Sequence, residues 1–364
     1  MEDISLIKYS IYQIVGKLGS CKKNAVYHII CGRRTSYMLY HTFSNELMNY
    51  FGLFPRCQME EFNAIIAQMI ENNQLKGYLE GEITCGEQIP TCLSQDLMEE
   101  LTINEMGLIH QKLYPVWCES FRLLVQVIGN SSFKIYQYAP LNDNIIIQQA
   151  LKNWVKEYQY NIFDQEYLNN WIDELESLLN EHSVVFNNLF LSMLDTKEEV
   201  SQTSEQRISQ FLELDLVEMK AMEKRIWLQV FSDIYDNQEK YPILYSWHQN
   251  QMKYFGLVSR SCRQTEILYY QGRSIEDMVR IRNLKQTTIQ DHLMEIAVLS
   301  NKEVMSSLLP PHDQKELWQA LSDTPTLPYK QFYQELTGEE VSFLSYRLLQ
   351  IYQLKLQKKV TRDD

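Results

Sequence analysis

One stretch towards the C-terminal end of the chain, residues 263–296, restricts the fold more than any other. Gly272 suits the left-handed backbone position that ends an α-helix. Ser274 is suited to cap the next helix, with Asp277 three residues later completing a pattern like a capping box. Asn283 suits a tight turn before a third helix. The stretch therefore predicts three short helices joined by tight turns, which is a helix-turn-helix.

Apolar residues in this stretch recur at the spacing of one buried helix face. Ile275, Met278 and Val279 follow the i, i+3, i+4 pattern of an amphipathic helix. The third helix is predicted over residues 288–296. The predicted core consists of Ile267, Leu268, Ile275, Met278, Val279, Leu284, Ile289, Leu293 and Ile296.

The last helix of such a motif lies in the major groove when the motif binds DNA. The candidate DNA contacts are Arg273, Arg282, Lys285, Gln286, Thr287, Thr288 and Gln290. Residues 260–285 carry six basic and three acidic side chains, whereas residues 286–299 carry two acidic side chains and no basic one. The flanks therefore suit phosphate contacts, while the acidic third helix leaves open that the motif binds a protein.

A second candidate DNA contact lies near the N-terminus. Residues 4–45 contain six basic residues and no acidic one, although the net charge of the chain is −13. Such a basic segment is suited to phosphate, because each neutralised phosphate releases counterions. The alternative is a solvated face without a ligand. The candidate residues are Lys17, Lys22, Lys23, Arg33 and Arg34.

The first hundred residues predict a small α+β domain. Helices are predicted over 24–31, 44–51 and 59–72, and a short β-hairpin over 74–84, where alternating residues surround Gly81. Three helices followed by a hairpin are typical of a winged helix.

The middle of the chain, from about residue 102 to 251, predicts helices throughout. Residues 141–235 carry 17 acidic and 7 basic side chains, a net charge of −10, which disfavours contact with DNA. This region suits contact with a protein, or it is a spacer. The predicted fold is mainly α, with a winged-helix-like domain (1–100), an acidic helical domain (101–258), a helix-turn-helix (259–300) and a C-terminal helical segment (301–364).

Signs of catalysis or metal binding are missing from the sequence. Its seven cysteines are scattered without a C-x-x-C pair, its seven histidines lie far apart, and no phosphate-binding loop, G-x-S-x-G or H-E-x-x-H motif occurs. We therefore expect a non-catalytic protein without metal or cofactor. Apolar runs fall short of the ~20 residues that span a bilayer, and the first residues lack a signal-peptide pattern, which together predict a cytoplasmic protein.

Two regions resemble parts of known proteins. Gly272-Arg-Ser-Ile-Glu-Asp-Met278 and Thr287-Thr-Ile-Gln-Asp-His-Leu293 resemble the helix-turn-helix of some RecQ-type helicases and of response-regulator transcription factors. Phe51-Gly-Leu-Phe-Pro55 and the helix from Glu60 to Ile70 resemble the winged domain of RecQ helicases. With both end modules present and the motor missing, the chain resembles the YpbB family of low-GC Gram-positive bacteria.

This resemblance implies an accessory or adaptor protein of a RecQ-like helicase in DNA repair or recombination. The implied partners are the helicase, DNA and a second copy of the chain, with no membrane contact. Two residues depart from DNA-reading relatives, since Lys285 replaces a capping Ser or Thr and Gln290 replaces a basic residue. The zinc-binding cysteines that precede the RecQ winged domain are also missing. The alternatives are a transcriptional regulator and a protein-binding scaffold that does not contact DNA.

Overall fold

A computed structural model describes residues 5–77, 81–91, 95–158, 161, 164–194, 215–299, 309, 315–335 and 341–363. These residues are mainly helical and include a small three-stranded antiparallel sheet, as predicted. Contacts divide the chain into two compact units. The N-terminal unit comprises Met1–Gly32 and Met48–Leu257, and the C-terminal unit comprises Arg33–Leu47 and Val258–Asp364.

The structure gives the bounds of the helices among the described residues. In chain order they are α1 (Leu6–Leu18), α2 (Lys23–Ile30), α3 (Ser36–Ser44), α4 (Met59–Glu71), α5 (Gln95–Glu100), α6 (Tyr114–Ser132), α7 (Ile145–Glu157), α8 (Gln165–Leu179), α9 (Val184–Leu194), α10 (Leu216–Asp236), α11 (Pro242–Tyr254), α12 (Arg260–Tyr270), α13 (Ile275–Arg282), α14 (Gln286–Leu299), α15 (Lys315–Asp323), α16 (Tyr329–Glu335) and α17 (Phe343–Asp363). Short 3₁₀ helices lie at Met48–Tyr50 and Glu105–Leu108.

The N-terminal unit begins with three helices and a hairpin in the order of a winged helix. Helices α1, α2 and α4 accompany strands β1 (Cys21–Lys22), β2 (Leu75–Gly77) and β3 (Glu82–Cys85). The strands pair antiparallel in the order β1-β3-β2, which confirms the predicted hairpin. Residues 78–80, at the tip of that hairpin, lie outside the described residues.

The helix predicted over 44–51 is wrong. The chain instead forms α3 earlier, because the Thr35 side chain accepts a hydrogen bond from the Met38 backbone N–H at 3.2 Å and caps the helix. Glu46 has a left-handed backbone, with φ of 56°, and this conformation cannot continue a right-handed helix. Helix α3 belongs to the C-terminal unit, so the winged-helix arrangement uses α1 in its place.

Aromatic side chains fill the helical part of the N-terminal unit. Trp117 of α6 packs edge-to-face against Trp247 of α11 and Phe231 of α10. Phe121 packs the same way against Trp227. All of these rings are fully buried, or nearly so, and edge-to-face packing adds to the large apolar area that each one removes from water.

The motif from Phe51 to Pro55 joins the winged-helix elements to this helical part. Gly52 lies so close to Gly32 that a Cβ on Gly32 would come within 2.7 Å of the Gly52 Cα. The Lys224 Nζ of α10 donates hydrogen bonds to the carbonyl oxygens of Phe51 at 3.1 Å and Gly52 at 2.8 Å. The turn and α10 are thereby held in one unit.

In the C-terminal unit, α3 and α17 pack against α14, the last helix of the helix-turn-helix. Helix α14 contacts α12 and α13 and, in addition, α3 and α17. Helices α15, α16 and α17 share an apolar cluster that includes Leu321, Phe332 and Leu349. The division between Leu257 and Val258 lies within one residue of the predicted boundary at 258, whereas the compact units have no division at residues 100 and 300 and place residues 33–47 in the C-terminal unit. No helix among the described residues has the length and apolar character needed to span a membrane.

Candidate nucleic-acid interface

The turns of the helix-turn-helix form as predicted. The Ser274 hydroxyl accepts a hydrogen bond from the Asp277 backbone N–H at 3.1 Å and caps α13. Gly272, with φ of 72°, and Asn283, with φ of 49°, take the left-handed positions that end α12 and α13. The orientation of α14 is therefore fixed by local backbone preferences.

The predicted core of this motif is confirmed for its third helix, for the second helix only at Met278, and is wrong at Ile267 of the first. Met278, Ile289, Leu293 and Ile296 are buried, whereas Ile267 is 47% exposed. Helix α12 instead buries small side chains against α14, and these allow the two helices to approach closely. The buried side chains of α12 are Cys262 and Thr265, while Leu268, Ile275, Val279 and Leu284 are half-buried.

Arg282, a predicted DNA contact, is held within the motif. Its Nη1 donates hydrogen bonds to the Ser261 carbonyl oxygen at 2.9 Å and to the Thr265 Oγ1 at 2.7 Å. Its Nη2 donates to the Ser261 hydroxyl at 3.1 Å. Arg282 lies four residues after the buried Met278, and this spacing already places it on the inward side of α13. The geometry gives it the role of a link between α13 and α12.

His292 of α14 completes this network. The Thr265 hydroxyl, which accepts a hydrogen bond from Arg282, lies within hydrogen-bond distance of the His292 Nδ1, at 2.8 Å. Burial lowers the pKa of His292, and the charge of Arg282 lowers it further, against the opposing effect of Glu295 and Asp291.

Both acidic residues of α14 are bonded within the C-terminal unit. Arg34 Nη2 lies 2.6 Å from the Glu295 carboxylate, with the two side chains 13% and 12% exposed. The Ser36 hydroxyl at the beginning of α3 donates to the Asp291 carboxylate at 2.5 Å. Asp291 also lies near the N-terminal end of α3, where the helix dipole favours a negative charge. The charge of Glu295 is thus paired with that of Arg34, whereas Asp291 keeps its negative charge and is exposed.

Helix α14 exposes its first turn and, beyond that turn, Asp291. Its second half is enclosed by the neighbouring helices, and buried residues run from Ile296 to Leu299. Thr288 and Gln290 are half-buried. We call the exposed residues the first-turn surface; they are Lys285, Gln286 and Thr287. A helix-turn-helix contacts base edges with the N-terminal residues of this helix, so the exposed part is the part that DNA recognition needs.

Two arginines next to this motif are also exposed. Arg273 lies in the turn between α12 and α13. The side chain of Arg280 is 80% exposed and forms an ion pair with Asp277 of its own helix at 2.5 Å. Sequence analysis did not select Arg280, although it lies two residues from Met278 and therefore on another side of α13.

The basic residues near the N-terminus do not form one surface. Lys17, Lys22 and Lys23 belong to the N-terminal unit, whereas Arg33 and Arg34 belong to the C-terminal unit. Lys17, Lys22 and Arg33 are exposed. Lys23 donates a hydrogen bond to the Asn63 side chain at 2.9 Å, and Arg34 forms an ion pair with Glu295.

Helix α4, which follows α2 as the third helix of the winged-helix arrangement, has an acidic outer face. It carries Glu60, Glu61 and Glu71, all exposed, and its sequence contains no basic residue. This face repels phosphate at short range. The N-terminal unit therefore offers Lys17 and Lys22, rather than α4, for contact with nucleic acid.

Among the described residues, no group of three or more His, Cys, Asp and Glu side chains is placed to hold a metal ion.

Comparison with known proteins supports the assignment of the motif. Residues 261–350 match a family described as a helix-turn-helix domain. This match extends beyond the three helices into α17, in agreement with the compact C-terminal unit. The chain is also similar to Protein YpbB of Bacillus subtilis (strain 168), with 22% identity over 336 residues that cover 91% of this chain and 92% of the relative. No solved structure gives a significant match.

The C-terminal helix-turn-helix domain suggests DNA binding.

Proposed function

We propose that this chain is a non-catalytic DNA-binding protein that contacts DNA through the first-turn surface of α14. The observation that carries the proposal is the exposed first-turn surface, which is uncharged apart from Lys285 immediately before α14. Further along the helix, Glu295 is paired with Arg34, and the exposed Asp291 accepts a hydrogen bond from the Ser36 hydroxyl. Arg273 and Arg280 supply flanking positive charge.

Phosphate contacts dominate this mode of binding. Gln286 and Thr287 can form hydrogen bonds with base edges, but they are few, because the rest of α14 is enclosed. Phosphate contacts fix position without reading sequence. We therefore expect affinity that depends strongly on salt and weakly on sequence, which favours an accessory protein over a regulator of one operator.

The finer proposal is that the protein serves a RecQ-like helicase in DNA repair or recombination. Its support is the resemblance of both end modules to RecQ domains and the similarity to Protein YpbB along nearly the whole chain. The unit that carries the helix-turn-helix would hold DNA, and the N-terminal unit would contact the helicase or a second copy of the chain.

DNA binding is tested with fluorescence anisotropy of the full chain on labelled duplex and forked DNA at several salt concentrations. The double variant Arg273→Glu with Lys285→Glu should weaken binding at least about tenfold and flatten the salt dependence by about one counterion per lost contact. The matched control is Lys330→Glu, an exposed lysine on α16 of the same unit. Equal affinity and salt slope for the folded double variant and the wild type would contradict the proposal.

The helicase partner is tested separately. A tagged full-length chain should co-purify with the RecQ-type helicase of its own organism after nuclease treatment, and should change the unwinding rate of that helicase on forked DNA. Absence of both effects, with DNA binding intact, would remove the helicase and leave the DNA-binding proposal in place.

A further inference from the structure

An open hollow of about 530 Å³ lies in the N-terminal unit between α6 and α7. Its floor is aliphatic, formed by Leu123 and Val127 of α6 and by Leu151 and Val155 of α7. Tyr136, Tyr138 and Pro140, from the segment that connects the helices, form one wall. Its volume and its mainly apolar lining are those of protein sites that bind ligands.

The wall of the hollow is held in place by hydrogen bonds. The Gln126 side chain of α6 donates to the Ala139 carbonyl oxygen at 3.0 Å and accepts from the Leu141 N–H at 2.9 Å. The Asn142 side chain donates to Glu119 of α6 at 3.1 Å. The connecting segment is thus fixed on α6 although it forms neither helix nor strand, and the hollow is preformed.

The segment that connects α6 and α7, which contributes the wall of the hollow, and the first turn of α7 expose large apolar side chains to solvent. The most exposed are Phe133 (79%), Ile145 (78%) and Ile146 (64%), and Tyr136 and Ile135 are about half exposed. Contiguous exposed apolar residues on a folded protein mark interaction sites. We call these residues and the hollow together the α6–α7 patch.

Basic side chains outnumber acidic ones around the α6–α7 patch, although the chain has a net charge of −13. Residues 133–157 carry three basic and two acidic residues, and one of the acids, Glu157, is paired with Lys253 at 2.7 Å. Lys152 lines the hollow, and Lys156 lies one helical turn away on the same side of α7. A negative ligand group is therefore favoured at the rim.

We propose that the α6–α7 patch docks a short peptide segment of a partner protein, in which acidic residues flank a large apolar side chain. The apolar side chain enters the hollow, and the carboxylates lie against Lys152 and Lys156. This is the pattern of interfaces in which one buried anchor is surrounded by polar contacts.

Three other occupants fit these observations less well. A symmetric dimer would bring the same patch of both copies together, and that patch has fewer acidic than basic side chains to pair across the interface. Single-stranded nucleic acid stacks its bases on aromatic faces, and the hollow offers these only on the wall formed by Tyr136 and Tyr138, since its floor is aliphatic. A small amphipathic molecule would fill the hollow and leave Phe133, Ile145 and Ile146 exposed.

The inference is independent of the proposed contact with DNA, because all of its residues belong to the N-terminal unit. Random short peptides displayed on phage are selected against the full chain, and the strongest peptide is synthesised with a fluorescent label. The expected peptides combine Asp or Glu with Leu, Ile, Phe or Trp, and their binding weakens as salt is raised.

Three variants assign the peptide to this patch. Lys152→Glu, which reverses the charge at the rim, and Val155→Trp, which fills the hollow, should each weaken binding at least about tenfold. Tyr138→Ala removes part of the wall and gives a second test of the hollow if Val155→Trp does not fold. Lys112→Glu, an exposed lysine elsewhere in the same unit, is the matched control and should change affinity by less than about twofold.

Affinity for DNA should be the same for the wild type and these patch variants. Selected peptides without acidic residues, or peptide binding that survives both Lys152→Glu and Val155→Trp, would overturn the inference. Self-association in sedimentation, or binding of a labelled single strand, that is lost in Lys152→Glu would assign the patch to a second copy or to nucleic acid and would also overturn it.

Discussion

Helices α4 and α14 each follow two other helices in a module that resembles a DNA-binding fold, but the surroundings of their acidic residues differ. The glutamates of α4 face solvent, and its outer face carries no positive charge. In α14, Glu295 is largely buried and paired with Arg34, while the exposed Asp291 accepts a hydrogen bond from the Ser36 hydroxyl. The formal charge of a helix therefore predicts little about its binding until the partners of each charge are known.

The two helices also differ in how much surface they leave free. Helix α4 buries one face, formed by Phe62, Ile66 and Met69, and exposes the opposite one. Helix α14 is enclosed along its second half and exposes its first turn. A broad exposed face that is acidic suits a protein partner, whereas a narrow exposed turn beside arginines suits phosphate and a few base edges.

The largest effect is expected from the buried side of α14. Leu293→Ala should lower the free energy of unfolding of the C-terminal unit by about 2–5 kcal/mol, because Leu293 is 2% exposed and its truncation leaves a cavity. Gln290→Ala, at a half-buried position three residues away, should cost within about 0.5 kcal/mol. Urea unfolding followed by circular dichroism measures both, and small effects of equal size would show that the face of α14 is assigned wrongly.

A smaller effect is expected from the ion pair between Arg34 and Glu295 of α14. Arg34→Ala should destabilise the C-terminal unit by about 1–3 kcal/mol, because it leaves Glu295 largely buried without its partner. Arg33→Ala, at the exposed neighbouring position, should cost less than about 1 kcal/mol. If the two variants unfold alike, the ion pair between Arg34 and Glu295 contributes little to stability.

The adjacent basic residues of the N-terminal unit test whether the winged-helix arrangement contributes to DNA binding. Lys17→Glu combined with Lys22→Glu should weaken DNA binding by only about two- to threefold, because the acidic face of α4 limits phosphate contact in this unit. This loss is smaller than that expected for the variant of Arg273 and Lys285. A larger loss from the lysine pair would reverse the comparison and make the N-terminal unit the main DNA contact.

Local signals in the sequence identified the elements that depend on local backbone preference. The cap at Ser274, the turn at Asn283 and the hairpin from Leu75 to Cys85 all follow from residue types and short spacings. The amphipathic pattern of α4 also gave its bounds to within one residue, ending at Glu71. Each of these features is decided by residues close together in the chain.

Features that depend on distant contacts could not be predicted. Nothing near residues 33–47 indicates that α3 packs on α14, since the pair of Arg34 and Glu295 spans more than half of the chain. The burial of Cys262 in place of Ile267 also depends on how closely α12 approaches α14. The spacing of apolar residues predicts a helix at α12 but does not show which side of that helix faces inward.

The smallest effects concern two histidines, one in each unit, whose pKa values are shifted in opposite directions. Burial lowers the pKa of His182 of the N-terminal unit, but the hydrogen bonds and charges of Asp233, at 2.9 Å, and Glu100, at 2.7 Å, outweigh burial and raise it overall. The pKa of His292 is instead lowered, chiefly by burial. His182 should therefore stay protonated, and His292 neutral, near pH 6.5, the ordinary value of an unperturbed histidine.

The two pKa shifts make the stability of the protein depend on pH in opposite directions. The contribution of His182 is complete below the unfolded pKa of about 6.5 and is lost as pH rises through its raised folded pKa. The contribution of His292 is present above about pH 6.5 and is lost as pH falls through its lowered folded pKa. Titration of the histidine ring resonances by NMR, assigned with His182→Gln and His292→Gln, measures both values in the intact chain. Raising the pH from 6 to 8 should reduce the destabilisation caused by His182→Gln and should not reduce that caused by His292→Gln, whereas pKa values on the same side of 6.5 would contradict the opposite environments of the two rings.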